Sequence, residues 1–153
     1  MDIKELYKRP NIEQDKKLKN KYVFFNKLIN ELKKKEIPSA IVTSVNQDIE
    51  GINSFSGSNK DLLKQLRKAE SSILKLIEQE LKLVTINHYR NRLMALGIAF
   101  GVSLGVAFGA SSGNMAFIGI GIPIGMVIGL AVGTAMDNKA NEDGNQLDVE
   151  TER

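Results

Sequence analysis

The sequence predicts an all-α fold: a cytoplasmic helical bundle whose long third helix leads into a two-helix transmembrane hairpin. Three observations carry this. Residues 93–136 contain no Asp, Glu, Lys or Arg, although charged residues make up 25% of the chain. Within that run glycine recurs at every fourth position, in two separate series. Ahead of it, apolar residues fall three and four apart, the repeat of a helix with one buried face.

The first helix is expected from about Ile12 to Glu36. Asn11 is a fitting N-cap, and Gln14 three residues on completes a capping-box pattern. Leu18, Tyr22, Phe25, Ile29 and Leu32 form the apolar stripe, and Lys16, Lys17, Lys19, Lys21, Lys27 and Lys33 to Lys35 fill the remaining faces. Pro38 stops it. The second helix runs from about Ser39, a possible cap, to Phe55, with Val42, Val45, Ile49 and Ile52 as its stripe. Ser56, Gly57 and Ser58 break the pattern.

Ser58 and Asp61 offer the next capping pair, and Leu63, Leu66, Ile73, Ile77, Leu81 and Val84 follow at helical spacing. No Pro or Gly lies between Lys60 and Met94, so this third helix is expected to continue unbroken into the first membrane span. Such a helix would carry movements of the bundle into the membrane.

A membrane helix needs roughly 20 apolar residues to cross about 30 Å of hydrocarbon. The uncharged run divides into spans at 93–110 and 115–136, separated by the turn formers Ser111, Ser112, Gly113 and Asn114. Arg90 and Arg92 precede the first span, Lys139 follows the second, and the turn is uncharged. The positive-inside tendency then puts both termini in the cytoplasm, with Tyr89 as an interfacial anchor. The domains are accordingly 1–92 (basic, cytoplasmic), 93–136 (hairpin) and 137–153, an acidic tail expected to be mobile because Asn, Gly, Asp and Glu cannot support a core. Residues 1–92 hold nineteen Lys and Arg against twelve Asp and Glu, and residues 137–153 hold two against six. The overall charge of +3 hides that division.

Gly97, Gly101, Gly105 and Gly109 make the first ladder, and Gly121, Gly125, Gly129 and Gly133 the second, with Gly119 extra. In water each interior glycine costs a helix about 1 kcal/mol relative to alanine. In lipid the penalty for unsatisfied backbone enforces the helix regardless, and the glycines become a groove that another backbone can enter. The ladders are expected to glue the hairpin together. Four glycines per helix also offer more groove than one partner needs, so self-association into a homo-oligomer is expected as well. Ala95, Ala99, Ala107, Ala131 and Ala135 widen the small-residue surface.

With these ladders the C-terminal part resembles glycine-zipper membrane proteins, a loose group that includes pore and channel formers and small bacterial membrane proteins. The resemblance spans about forty residues and implies close helix packing and oligomerisation. Lipoproteins of that group carry a signal peptide and a lipidated cysteine; this chain has no cysteine, and its opening residues, Met1 to Glu5, do not form a basic stretch followed by an apolar core. Insertion is therefore expected to be directed by the C-terminal spans, with a bacterial inner membrane as the setting. The layout is also similar to bacterial ribosome-associated proteins with a helical N-terminus and one glycine-rich span.

Catalytic signatures are missing from the sequence. Without cysteine there is no thiolate or disulfide chemistry. The single histidine, His88, has Val84, Thr85, Asn91 and Arg92 three and four residues away, which is no metal set. No phosphate loop or nucleophile elbow occurs, so no enzyme, metal or cofactor is expected. The lysines suit a solvated face or anionic lipid headgroups. Nucleic acid is disfavoured by the absence of tryptophan and of any aromatic platform. The leading functional expectation is a self-assembling protein acting as a pore or membrane-perturbing effector under control of the cytoplasmic helices. The alternative is an anchor or adaptor tethering a helical domain to a protein or ribosome partner.

Overall fold

Helical periodicity in the first 85 residues produces three amphipathic helices. The structure is a computed structural model describing residues 2–9 and 12–151. A 3-10 turn at Ile12–Gln14 leads into α1 (Lys16–Lys33), followed by α2 (Ser39–Asn53) and α3 (Asn59–Leu81). A short strand β1 (Val84–Ile86), two long helices α4 (His88–Ser112) and α5 (Ala116–Glu142), and a second strand β2 (Gln146–Glu150) complete it. The fold is all-α with one pair of short strands. It divides into two compact units, residues 1–85 with 147–153 and residues 86–146.

The apolar stripes read from the sequence form most of the core of the first unit, but Leu28 and Leu62 join it from outside those stripes, while the expected Leu63 and Leu81 are only half-buried. Leu18, Phe25, Leu28 and Leu32 of α1 are fully buried, as are Val45, Ile49 and Ile52 of α2 and Leu62, Leu66, Ile73 and Ile77 of α3. Each such side chain contributes about 1.5–3 kcal/mol by leaving water. Local signals set the ends. Ser58 caps α3 by accepting the Asp61 N–H, as its sequence pattern predicts. At α1 the cap is Asp15, whose carboxylate accepts the N–H groups of Lys17 and Leu18 at 3.0 and 3.2 Å. Asn11, the expected cap, lies outside the described residues. Helix α1 stops three residues before the expected Glu36, and Ser39 is the first helical residue of α2 and not its cap, a position held by Pro38.

Lys21 departs from the expectation of a solvated lysine face. Its ammonium pairs with Glu70 of α3 at 2.5 Å, with both side chains about nine-tenths buried, and lies 5.2 Å from the Phe24 ring centre. An opposite charge and an aromatic face stand where water would be.

The unbroken third helix is corrected. Lys82 adopts a left-handed conformation (φ 58°), a strand follows, and Asn87 is left-handed again (φ 59°) before α4 begins. Three consecutive β-branched residues, Val84, Thr85 and Ile86, favour the extended backbone, and asparagine tolerates the left-handed turn. No rigid rod runs from Lys60 into the hairpin.

The mobile tail is corrected too. Helix α5 extends to Glu142 and ends at Gly144 (φ 71°), with the Asn145 N–H on the Ala140 carbonyl at 2.8 Å. Strand β2 then pairs with β1, burying Leu147 and Val149 in the core while Asp148 and Glu150 face solvent. Alternation with period two outweighs an acidic composition.

At the N-terminus, burial raises the Tyr22 phenol above its ordinary value of 10.0, and the neighbouring Arg9 guanidinium pulls it back. Glu31 of α1 fastens β2: Oε2 accepts the Asp148 N–H at 3.2 Å while Oε1 pairs with Lys34. The Lys34 bond holds the Glu31 carboxyl below its ordinary 4.5, desolvation opposing and the Asp148 N–H assisting. A depressed carboxyl contributes stability that is complete above its unfolded value and disappears as pH falls through the folded one. Glu31→Gln is therefore expected to cost stability near pH 7, with the gap to the native protein closing below about pH 4. Urea unfolding of both proteins across that range checks this; a gap independent of pH would remove the carboxylate from the account.

Candidate membrane hairpin

Helix α4 has 25 residues and α5 has 27. At 1.5 Å per residue both exceed the roughly 30 Å of a hydrocarbon core. Both are long and apolar enough to cross a membrane. The expected span 93–110 lies inside α4, and 115–136 lies inside α5 except for Met115, which is its N-cap.

The glycine ladders face each other. A methyl group on Gly101 would lie 2.8 Å from the Gly121 carbonyl carbon, and one on Gly125 would lie 2.9 Å from that of Gly97. At Gly129 the same addition meets the Leu93 carbonyl carbon at 2.8 Å, and at Gly105 the Ile118 Cα at 2.7 Å. Gly133 abuts Tyr89 and Arg90, and Gly109 abuts Asn114 and Met115. Gly97 and Gly121 complete the strip from the other side. Opposed pairs therefore advance by four residues on one helix as they retreat by four on the other. Only Cα hydrogens separate the backbones, the geometry in which dispersion and Cα–H···O contacts replace side-chain packing. Gly119 stands apart, with open space where a Cβ would go.

Larger side chains are thereby turned outward. Phe100, Phe108, Ile124, Val127 and Ile128 all remain more than half exposed. Ser103 bonds back to the Ala99 carbonyl at 2.9 Å, so its hydroxyl is satisfied within its own helix. Pro123 sits in the interior of α5, on the exposed side.

Both ends of the hairpin are closed by polar groups. At the turn Gly113 is left-handed (φ 70°), the Asn114 N–H reaches the Gly109 carbonyl at 3.0 Å, and Asn114 Oδ1 accepts the Ala116 N–H. At the base, Asp137 of α5 is 6% exposed; its Oδ1 accepts the Tyr89 N–H at 3.0 Å and its Oδ2 the Arg90 N–H at 2.9 Å. A carboxylate from one helix thus caps the N-terminus of the other, where Asn87 supplies no side-chain cap. A charge there also meets the positive end of the α4 dipole.

Of the residues assigned to the membrane interface from sequence, Tyr89 is half-buried in this closure, while Arg90, Arg92 and Lys139 are exposed. The His88 ring stands edge-on to Tyr89 with centres 5.0 Å apart. Asp137 was not singled out by sequence reasoning. The signal was present, because the ladder sets Gly133 against Tyr89 and Arg90, so a residue one turn further along α5 lies just beyond the start of α4, where the free N–H groups of that helix point. Among the described residues, no three His, Cys, Asp or Glu side chains gather as a metal site. Comparison with protein-family models, curated proteins and solved structures finds no match to this chain.

Gly125→Leu must force the backbones apart and is expected to cost the hairpin about 1–3 kcal/mol, the usual range for overpacking. Gly119→Leu, into open space, is expected to cost nothing. Unfolding of each variant in mixed micelles of increasing SDS fraction distinguishes them; equal losses would mean the ladder contact is not what holds the helices together. Asp137→Ala is expected to cost about 0.5–2 kcal/mol in the same assay, the value of a lost helix cap.

Proposed function

We propose that this is an integral membrane protein in which a zipped hairpin anchors a helical domain at the cytoplasmic face, where that domain holds a protein partner. The observation carrying this reading is how the glycine faces are used. Each ladder is covered by the other helix of the same hairpin, and the outward residues are apolar, as lipid requires. A hairpin closed on itself in this way has no polar lumen to conduct ions. Exposed lysines of α1 add attraction to anionic headgroups of about 1 kcal/mol each near such a surface. Arg90 and Arg92 at one end, Lys139 at the other and an uncharged turn favour cytoplasmic termini in a bacterial inner membrane.

A second reading has one observation of its own. Ala95, Ala99, Ser103 and Ala107 form an exposed small-residue stripe on α4, separate from the covered ladder. That stripe favours lateral association of hairpins into a homo-oligomer, the arrangement a pore or membrane-perturbing effector would need.

Native mass spectrometry from nanodiscs and ion flux from liposomes separate the two. The anchor is expected as a monomer that leaves liposomes tight; a discrete oligomer with flux would put the pore first. The cysteine-free sequence also permits a topology test. Ser112→Cys is expected to react with an impermeant maleimide on intact cells, and Ser56→Cys only after lysis. The opposite pattern would invert the orientation.

A further inference from the structure

Residues 2–9 form no regular secondary structure, yet they are held against α2 by a repeated device. Asn46 Oδ1 accepts the Lys4 N–H at 2.8 Å, and its Nδ2 donates to the Asp2 carbonyl at 3.0 Å. Seven residues further along α2, Asn53 Oδ1 accepts the Tyr7 N–H at 2.9 Å, and its Nδ2 donates to the Glu5 carbonyl at 2.9 Å. Each amide brackets one apolar anchor, Ile3 or Leu6, and both anchors are buried. The spacing is matched: seven helical residues rise about 10.5 Å, and three residues of extended chain cover about 10 Å. The clamp therefore grips main chain, which every peptide has, while two apolar sites and two charges select sequence. Lys4 pairs with Glu50, and Glu5 with Lys33 at 2.9 Å.

Open space remains along the edges of the chain's own segment. A cleft of about 660 Å³ opens along it, lined by Lys4, Glu5 and Tyr7 of the segment and by Glu50, Asn53 and Ser54, and Tyr7 itself is 69% exposed. A second cleft of about 360 Å³ lies beside Ile3, next to Leu32 and Val42. Asn46, by contrast, is 4% exposed, and both ends of its amide are satisfied by the segment. Such a buried amide demands an occupant.

We propose that this groove is a recognition site for an extended peptide of another protein, ordered branched apolar, basic, acidic, apolar, and that residues 2–9 hold it closed until such a peptide displaces them. The same segment of a second copy would gain no contact over the tethered one, which has the advantage of high effective concentration. Only a peptide that also fills the neighbouring clefts displaces it. This deepens the anchor reading by naming where its partner docks, and it rests on that reading for its purpose, although the binding belongs to the helical domain alone.

The test uses the full chain in nanodiscs with a protease site inserted after Arg9, cut once the protein is folded. The probe is a labelled synthetic peptide of residues 2–9, followed by fluorescence anisotropy. The cut protein is expected to exchange its resident segment for the probe, and the uncut protein to bind it at least tenfold more weakly. Asn46→Ala with Asn53→Ala is expected to raise the probe's Kd at least tenfold, and a probe carrying Ile3→Glu and Leu6→Glu not to bind. That altered probe leaves the protein untouched, so it decides even where the asparagine variant unfolds. Probes varied at position 7 are expected to include one at least tenfold tighter than the native sequence, seated in the larger cleft. No uptake by cut protein of unchanged circular dichroism, uptake indifferent to the asparagines, no tighter probe, or a dimer formed by exchanged segments would each overturn the proposal. Flux and mass measurements test the anchor reading separately, so either can fail alone.

Discussion

The absence of a Cβ along one strip of each long helix governs the second unit. Eight ladder glycines let α4 and α5 meet backbone to backbone, and a methyl group on nearly any of them would overlap the opposite chain. In water those glycines would weaken both helices, at about 1 kcal/mol apiece. In lipid the coil is not an available alternative, because unpaired amides cost several kcal/mol each, and the penalty largely vanishes. Close approach then fixes everything else in the hairpin. Side chains larger than glycine are displaced outward, where they make an apolar surface, and no lumen remains between the helices. The register is equally fixed, since a ladder slipped by one residue would drive mostly isoleucine, leucine, valine or phenylalanine into the opposing backbone.

That register explains why a carboxylate can sit at the base of an apolar hairpin. Asp137 follows the last ladder glycine by one turn and meets the free N–H groups of Tyr89 and Arg90. Two charge-assisted hydrogen bonds and the α4 dipole offset its burial. A ladder thus locks the middle, and polar caps close each end.

Much of this was legible in the sequence, where a strong period spoke for itself. Leu18, Phe25 and Leu32, or Ile49 and Ile52, repeat over several turns, and the uncharged run could hardly be anything but two long helices. The failures occurred where a weak local signal competed with a strong long-range one. Val84, Thr85 and Ile86 lie in a stretch free of Pro and Gly, which predicts an unbroken helix, although three β-branched residues before an asparagine favour a strand and a turn. Leu147 and Val149 were hidden by the acidic residues around them, because composition ignores alternation. Asp137, Lys21 and the segment at residues 2–9 depend on partners distant in the chain: Tyr89 and Arg90, Glu70, and Asn46 with Asn53. Single-helix periodicity cannot see such pairings, whereas the ladder register could have revealed the first.

The chain leaves the first unit after β1 and re-enters it at β2. Leu147 and Val149 are core residues, yet they are reached only after the chain has passed through both long helices. Pairing β2 with β1 closes a loop over residues 87–145. For a flexible chain of that length, closure would cost on the order of 4 kcal/mol. The zipped hairpin removes most of that cost, because the Asp137 bonds already hold the start of α4 against the last turns of α5, leaving only a few residues on each side to span. A hairpin that stayed open would leave β2 to find β1 across the whole loop, and the Glu31 bond to Asp148 would have to form over the same distance. The glycine contact therefore acts beyond the helices it joins, by bringing within reach the strand that completes the core of the first unit.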